Sequence, residues 1–339
     1  MSTELNVTMS SDAIGLGMGV RADFDVDLVK CDAEGNPIAT RRALTKCPNL
    51  ITNYGMDIIT GTAVGSAWLN VFSNTLHVGM GNAAPTYTDL ALANKRAAIE
   101  NGGSGNNTYA WDTANGNPRT FVMTRVYQFG VGAASGAITE LGLSPSTTGQ
   151  TTTRALFKDA FGDPTTVNVA ADEQLVVTYR IYLVPNETVS TLIKTVNGTE
   201  YTLQMTWASL GSSYDTSYLD YVNVPFTYLY YNAVSYGLNC YACSGVTSGL
   251  GPVTGVPLGT QSSNYSQNYC TVITTAHVTG NYYIESAITL GLNAANLTNI
   301  GAFYFQGNPL HHQIGISPRI NKTSNDTIKF TARFTFTRL

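Results

Sequence analysis

Charge is what this chain has least of. Only 12% of its 339 residues are Asp, Glu, Lys or Arg, about half of the roughly 25% usual in soluble domains. The 18 basic and 22 acidic side chains give a net charge of -4, and no Lys/Arg block occurs. Nucleic-acid binding depends on a basic footprint that neutralises phosphates, so no nucleic-acid partner is expected. No apolar run approaches the ~20 residues of a spanning helix, so no membrane span is expected. The start, Met1-Ser-Thr-Glu-Leu-Asn, lacks the basic and apolar regions of a secretory signal. That predicts a protein made in a cytoplasm and soluble until assembled. Five cysteines, an odd count, argue against a disulfide framework.

What is abundant is uncharged: 32 Gly and 20 Tyr, with many Thr, Ser and Asn. Aromatics at this level are not a mark of disorder. They fit a packed β protein whose polar surface has few charges to desolvate on assembly. Alternation of period two marks strands. Val20, Ala22, Phe24, Val26 and Leu28 share one face, and Asp32-Ala-Glu-Gly-Asn-Pro turns the chain into a returning strand from Ile38. Phe121, Met123, Arg125, Tyr127 and Phe129 form another stripe, and Leu175 to Leu183 the clearest one. Ile328, Phe330, Ala332, Phe334 and Phe336 form the last. The expected fold is mainly β, with antiparallel β-sandwich modules and one or two short helices, near 49–60 and 88–98. Asn49 is the expected cap of the first helix and Asp89 of the second. The Gly15-Leu-Gly-Met-Gly stretch reads as a flexible arm, and 101–119 as a loop. The divisions expected are 1–48 as arm and hairpin, 49–210 as one β-sandwich module, and 211–339 as a second β module with a Tyr/Ser/Asn-rich insertion.

Several phrases occur in a telling order. They are Asn49-Leu-Ile-Thr-Asn-Tyr-Gly-Met-Asp, Leu76-His-Val-Gly-Met-Gly, Thr88-Asp-Leu, Ile138-Thr-Glu-Leu-Gly-Leu, Thr153-Arg-Ala-Leu-Phe, Phe161-Gly-Asp-Pro and Asp172-Glu-Gln-Leu-Val-Val-Thr-Tyr. This order resembles a family of tailed-bacteriophage virion structural proteins of the tail-tip, baseplate or fibre type. The resemblance covers roughly 49–210 and is lost over 211–290. It implies a structural role in the virion, a cyclic homo-oligomer, contacts with other virion proteins and an N-terminal arm reaching a neighbouring subunit. It supplies no catalytic residues, and no cofactor is expected. Alternatives stay open: a receptor- or glycan-binding tail protein, a capsid or collar decoration protein, and a capsule depolymerase.

Candidate chemistry is sparse. Cys240-Tyr-Ala-Cys243 with Cys270 and His277 contains zinc-ligand types, but the spacing is irregular and buried thiols are the plainer reading. His311 and His312 are adjacent on a strand and point to opposite faces, so they cannot readily chelate one ion. His77 reads as packing. A glycosidase needs two carboxylates across one bond, and no spacing selects a pair from Asp215, Asp220 and Glu285. No catalytic and no metal residues are assigned. Tyr228, Tyr230, Tyr231 and Tyr236 lie in a dense tyrosine segment. Flat apolar rings bearing one hydroxyl suit subunit contacts or sugar rings, and core packing is the plainer alternative.

Overall fold

The structure, a computed structural model, describes residues 13–61, 72–100, 107–112, 119–208, 239–252, 256–261, 270–274, 278–290, 297–306, 311–323 and 326–339. The first elements are β1 (Ile14–Cys31), β2 (Pro37–Ile51), α1 (Asn53–Gly61), β3 (Thr75–Gly79), β4 (Lys95–Glu100), β5 (Asn107–Asp112) and β6 (Thr120–Gln128). Next come β7 (Gly136–Ile138), β8 (Glu140–Ser144), β9 (Thr153–Leu156), β10 (Val167–Val169), β11 (Glu173–Pro185), β12 (Ser190–Val196) and β13 (Thr199–Ala208). The last are β14 (Asn239–Gly249), β15 (Leu258–Gln261), β16 (Cys270–Thr274), β17 (Tyr283–Leu290), β18 (Leu297–Gln306), β19 (His311–Lys322) and β20 (Ile328–Arg338). The fold is mainly β with antiparallel sheets, and α1 is the one helix among these elements.

A large sheet runs β16-β17-β20-β1-β2-β9-β8-β3-β4, and β11, β6 and β5 extend it from the other side of β1. A second sheet runs β12-β13-β19-β18-β14-β15. Strand β1 is the shared spine. Its Ile14–Val20 stretch pairs in parallel with β20, its Ala22–Cys31 stretch pairs antiparallel with β2, and β11 lines its other edge. Side chains alternate along a strand, so Ile14, Leu16, Met18, Val20, Ala22, Phe24, Val26 and Leu28 share one face, and all are buried.

That single apolar face runs through one continuous hydrophobic core. At its start, neighbouring Phe334 of β20 packs on Trp207 of β13 (5.9 Å) and His312 of β19 (5.2 Å), joining the large sheet to the second one. At its end, Phe24 packs on Phe157 (5.7 Å) and Tyr179 (6.3 Å), where β9, β8 and β3 fold back over β1, β11 and β6. Strand β2 makes the fold-back. Its pairing with β1 shifts register twice between Phe24 and Asp27, Lys46 takes a left-handed φ of 49°, and Leu50 and Ile51 then pair with β9. Bulges bend a strand and increase its twist.

Several expectations need correction. The Gly15-to-Gly19 stretch is no loose arm: it is regular strand, and its glycines lie on the outer face against Arg333, Asn186 and Leu339. Residues 1–12 lie outside the described residues. Asn49 is in β2 and does not cap α1. Thr52 does, its Oγ1 accepting the Gly55 N–H at 3.0 Å. Leu50 accordingly sits in a strand and not on the helix face. No helix occupies 88–98: Lys95–Glu100 is β4, paired with β3. Asp89 instead accepts from the Thr86 N–H (2.8 Å) and from Arg154 (2.6 Å). The expected loop 101–119 contains β5. Strand β2 runs through residues 48 and 49, and β13 pairs with β19.

Phe334→Ala removes a buried ring that both sheets share. It is expected to lower the unfolding free energy by about 3–5 kcal/mol in urea titration. A loss under about 1 kcal/mol would mean that the sheets hold together without it.

Candidate functional site

The most elaborate polar arrangement centres on Glu140 at the start of β8. Its side chain is fully buried. Oε1 accepts the Gly81 N–H at 3.0 Å and the Asn94 N–H at 2.8 Å. Oε2 accepts the Ala93 N–H at 3.2 Å, Arg154 Nε at 3.1 Å and Arg154 Nη2 at 2.9 Å. Arg154, on β9, uses its remaining N–H groups on Asp89 (2.6 Å) and the Ala83 carbonyl (2.8 Å). Burial alone would raise the Asp89 carboxyl, but the Thr86 and Arg154 hydrogen bonds take it below its usual range. The glycines nearby follow from this crowding. A Cβ on Gly79 would lie 2.7 Å from Glu140 Oε1 and 2.6 Å from the Asn94 carbonyl. One on Gly81 would overlap Oε1 and lie 2.6 Å from Ala93 Cβ.

Most of the ordered phrases of the sequence meet at or beside this node, whereas Phe161-Gly-Asp-Pro stands on an exposed turn. Val78-Gly-Met-Gly, Thr88-Asp, Thr139-Glu-Leu-Gly and Thr153-Arg supply the node itself. One layer away, Asn49 Nδ2 donates to Thr153 Oγ1 (3.1 Å) and to the Tyr179 hydroxyl (2.5 Å). Thr52 Oγ1 donates to the Thr151 carbonyl at 2.9 Å, and a Cβ on Gly55 would overlap the Thr152 carbonyl. Tyr179, from the Asp172-to-Tyr179 phrase, is buried, and its hydroxyl is pushed up by desolvation. Chemically this is a closed lock. Five N–H donors occupy the Glu140 carboxylate, which has about four lone-pair sites, so no acceptor is left to take a proton from a substrate.

Beside the node opens a cleft of about 550 Å³. Its walls are mainly apolar, from Pro48, Leu50, Pro85, Tyr87 and Leu156, with Arg21, Arg154, Lys158 and Arg338 as cations. Arg338 is held in place: Nε donates to the Ile51 carbonyl (2.8 Å), Nη2 donates to Asn53 Oδ1 (2.7 Å), and its guanidinium stacks on Tyr87 (4.5 Å). Nothing in the sequence marked this cleft, because its walls come from five separate stretches of chain.

The other candidates are dispersed. His77 bonds the Ser146 carbonyl through Nε2 at 3.0 Å, and burial beside Lys95 lowers its pKa to about 4. His311 and His312 point to opposite faces, as expected. His311 Nδ1 meets the Tyr304 hydroxyl, whereas His312 stacks on Phe305 at 4.7 Å with both ring nitrogens unpartnered. Burial lowers the pKa of His311 to about 4 and that of His312 to about 3. Cys243 is buried and its thiol is pushed up to about 11 by desolvation. The side chains of Cys240 and Cys270, and His277 as a whole, lie outside the described residues. Among the described residues, no group of three or more His, Cys, Asp or Glu is placed to hold a metal ion. Glu285 is ion-paired with Arg333 at 2.6 Å. Asp215, Asp220, Tyr228, Tyr230, Tyr231 and Tyr236 lie outside the described residues. Among the described residues, no helix is long and apolar enough to cross a membrane.

In comparisons with known proteins, no family model matches the chain, and neither a curated protein nor a solved structure does.

Arg154→Met leaves the Glu140 carboxylate buried without its cation and is expected to cost about 3–5 kcal/mol of stability. Pairing it with Glu140→Leu should recover a large part of that loss. A double-mutant cycle in urea measures both, and additive losses would mean that the two side chains act independently.

The three buried histidines set an acid limit. Each has a folded pKa below the unfolded value of 6.5. The unfolded chain therefore binds more protons as pH falls below that value. Stability is full above about pH 6.5 and declines toward pH 4, with a slope of up to about three protons. Unfolding titrations at pH 7 and 5 check this, and His312→Phe should reduce the slope by about one proton.

Proposed function

We propose that this chain is a structural component of a tailed-bacteriophage virion, of the tail-tip, baseplate or fibre type. It acts by symmetric self-assembly into a cyclic homo-oligomer that contacts other virion proteins. One observation carries this reading. Four of the phrases that resemble the phage family, separated along the chain, supply groups to the Glu140–Arg154 lock, and the Asn49 and Tyr179 phrases pack one layer away, while the Phe161 phrase stands on an exposed turn. Independent chance matches would have no reason to meet. As a set they specify a local fold, which is what a resemblance to a structural family should preserve. The low charge supports the same reading, since an uncharged polar surface packs against neighbours with little desolvation cost. The long strand β1 supports it as well, because it pairs with β2, β11 and β20 and so ties the large sheet into one scaffold.

Gold-labelled antibody against this chain, applied to intact particles and viewed by electron microscopy, tests the reading. Label at the tail is expected. Label at the head or collar would make the chain a decoration protein, and particles without label would contradict a virion role.

A further inference from the structure

The large hydrophobic side chain most exposed among the described residues is Phe161, at 92%. It stands at the tip of a well-braced turn. The Asp159 N–H donates to the Asp163 carbonyl (2.9 Å), and the Gly162 N–H donates to the Asp159 carbonyl (3.1 Å). Asp159 Oδ1 accepts the Phe161 and Asp163 N–H groups at 2.9 and 3.0 Å. Gly162 takes φ of 89°, which suits glycine. A ring presented this way loses little freedom on being buried, which is how aromatic anchors gain affinity.

The adjoining cleft is complementary to this turn. Its volume of about 550 Å³ falls in the range of binding sites, and its walls are largely apolar. Its lining includes Arg21, Arg154, Lys158 and Arg338 but no Asp or Glu side chain; Arg154 is committed to Glu140 and Asp89, and Arg21 lies 3.9 Å from Asp23. The turn brings Phe161 flanked by two exposed carboxylates, Asp159 and Asp163. A basic, apolar hole and an acidic, aromatic knob therefore occur on one molecule. Gly162 and Pro164 form part of the cleft's rim, so knob and hole share one patch. A patch carrying both halves of a contact is self-complementary and pairs about a two-fold axis.

We propose that the 159–163 turn of one copy seats in this cleft of a second copy, and reciprocally, with Phe161 as the buried anchor and Asp159 and Asp163 facing Arg21 and Lys158. The two-fold pair is the smallest cyclic assembly. The proposal rests on the self-assembly reading above and gives it a surface.

The test is light scattering of the purified full chain over a concentration series, for wild type, Phe161→Asp, Lys158→Glu and Ile193→Asp. Ile193 is an exposed apolar residue on β12 (57%), away from the cleft, and serves as the control. The wild type should associate, and Ile193→Asp should match it. Phe161→Asp should associate about ten- to hundredfold more weakly. Lys158→Glu should also weaken association, and rising salt should weaken the wild type. A wild type that stays monomeric, or a Phe161→Asp variant that associates as the wild type does, overturns the proposal. Association with Phe161→Asp unaffected would overturn this surface while leaving self-assembly intact, and antibody labelling of particles decides the virion reading separately.

Discussion

A carboxylate taken out of water has to be answered by hydrogen-bond donors, and Glu140 is answered by three backbone N–H groups and two from Arg154. The rest of the first half of the chain is arranged around that requirement. The loop after β3 must pass close enough for Gly81, Ala93 and Asn94 to point inward, which forbids a Cβ at Gly79 or Gly81. Arg154 must enter from β9, and Asp89 and the Ala83 carbonyl then satisfy the rest of the guanidinium. Buried ion pairs are weak as net stabilisers and strong as specifiers, because half of one is costly. Here the pair fixes how a loop, β8 and β9 lie relative to one another.

The strands were legible in the sequence to the degree that burial follows alternation. The stripes at 20–28, 121–129, 175–183 and 328–336 became β1, β6, β11 and β20 with those side chains inside. The Gly15-to-Gly19 stretch misled because glycines suggest freedom. Here each lies on an outer face where Arg333, Asn186 or Leu339 approaches closely, and the apolar residues between them carry the pattern. The helix expected near 88–98 failed for a tertiary reason: Asp89 is recruited by Arg154, and Lys95–Glu100 completes a sheet edge beside β3. Asn49 looked like a cap because its chemistry suits one, but its amide is used by Thr153 and Tyr179. The phrases that meet at Glu140 could be seen in the sequence, while their meeting could not, since convergence is a property of the register between β3, β8 and β9. The cleft was invisible for the same reason.

The two halves of the molecule show different economies. Around Glu140, polar groups are saturated and glycines are sterically required. Between the sheets, the join is aromatic: Trp207, Phe303, Phe305, His312, Phe330 and Phe334 pack edge and face. Strand β1 runs through both regions, and their apolar side chains form one continuous core. Phe161 stands apart from both, exposed at the tip of the 159–163 turn.

The central claim is that the phrases around β3, β8 and β9 build the Glu140–Arg154 lock. Amide hydrogen exchange of the native chain tests it most directly, because Gly81, Ala93 and Asn94 lie outside regular strands and have the carboxylate as acceptor. The account predicts that these three amides exchange as slowly as those in the middle of β1 and β11, opening only with global unfolding. Exchange at the rate of ordinary surface loops would contradict it, and would mean that the carboxylate is not held and the phrases require another explanation.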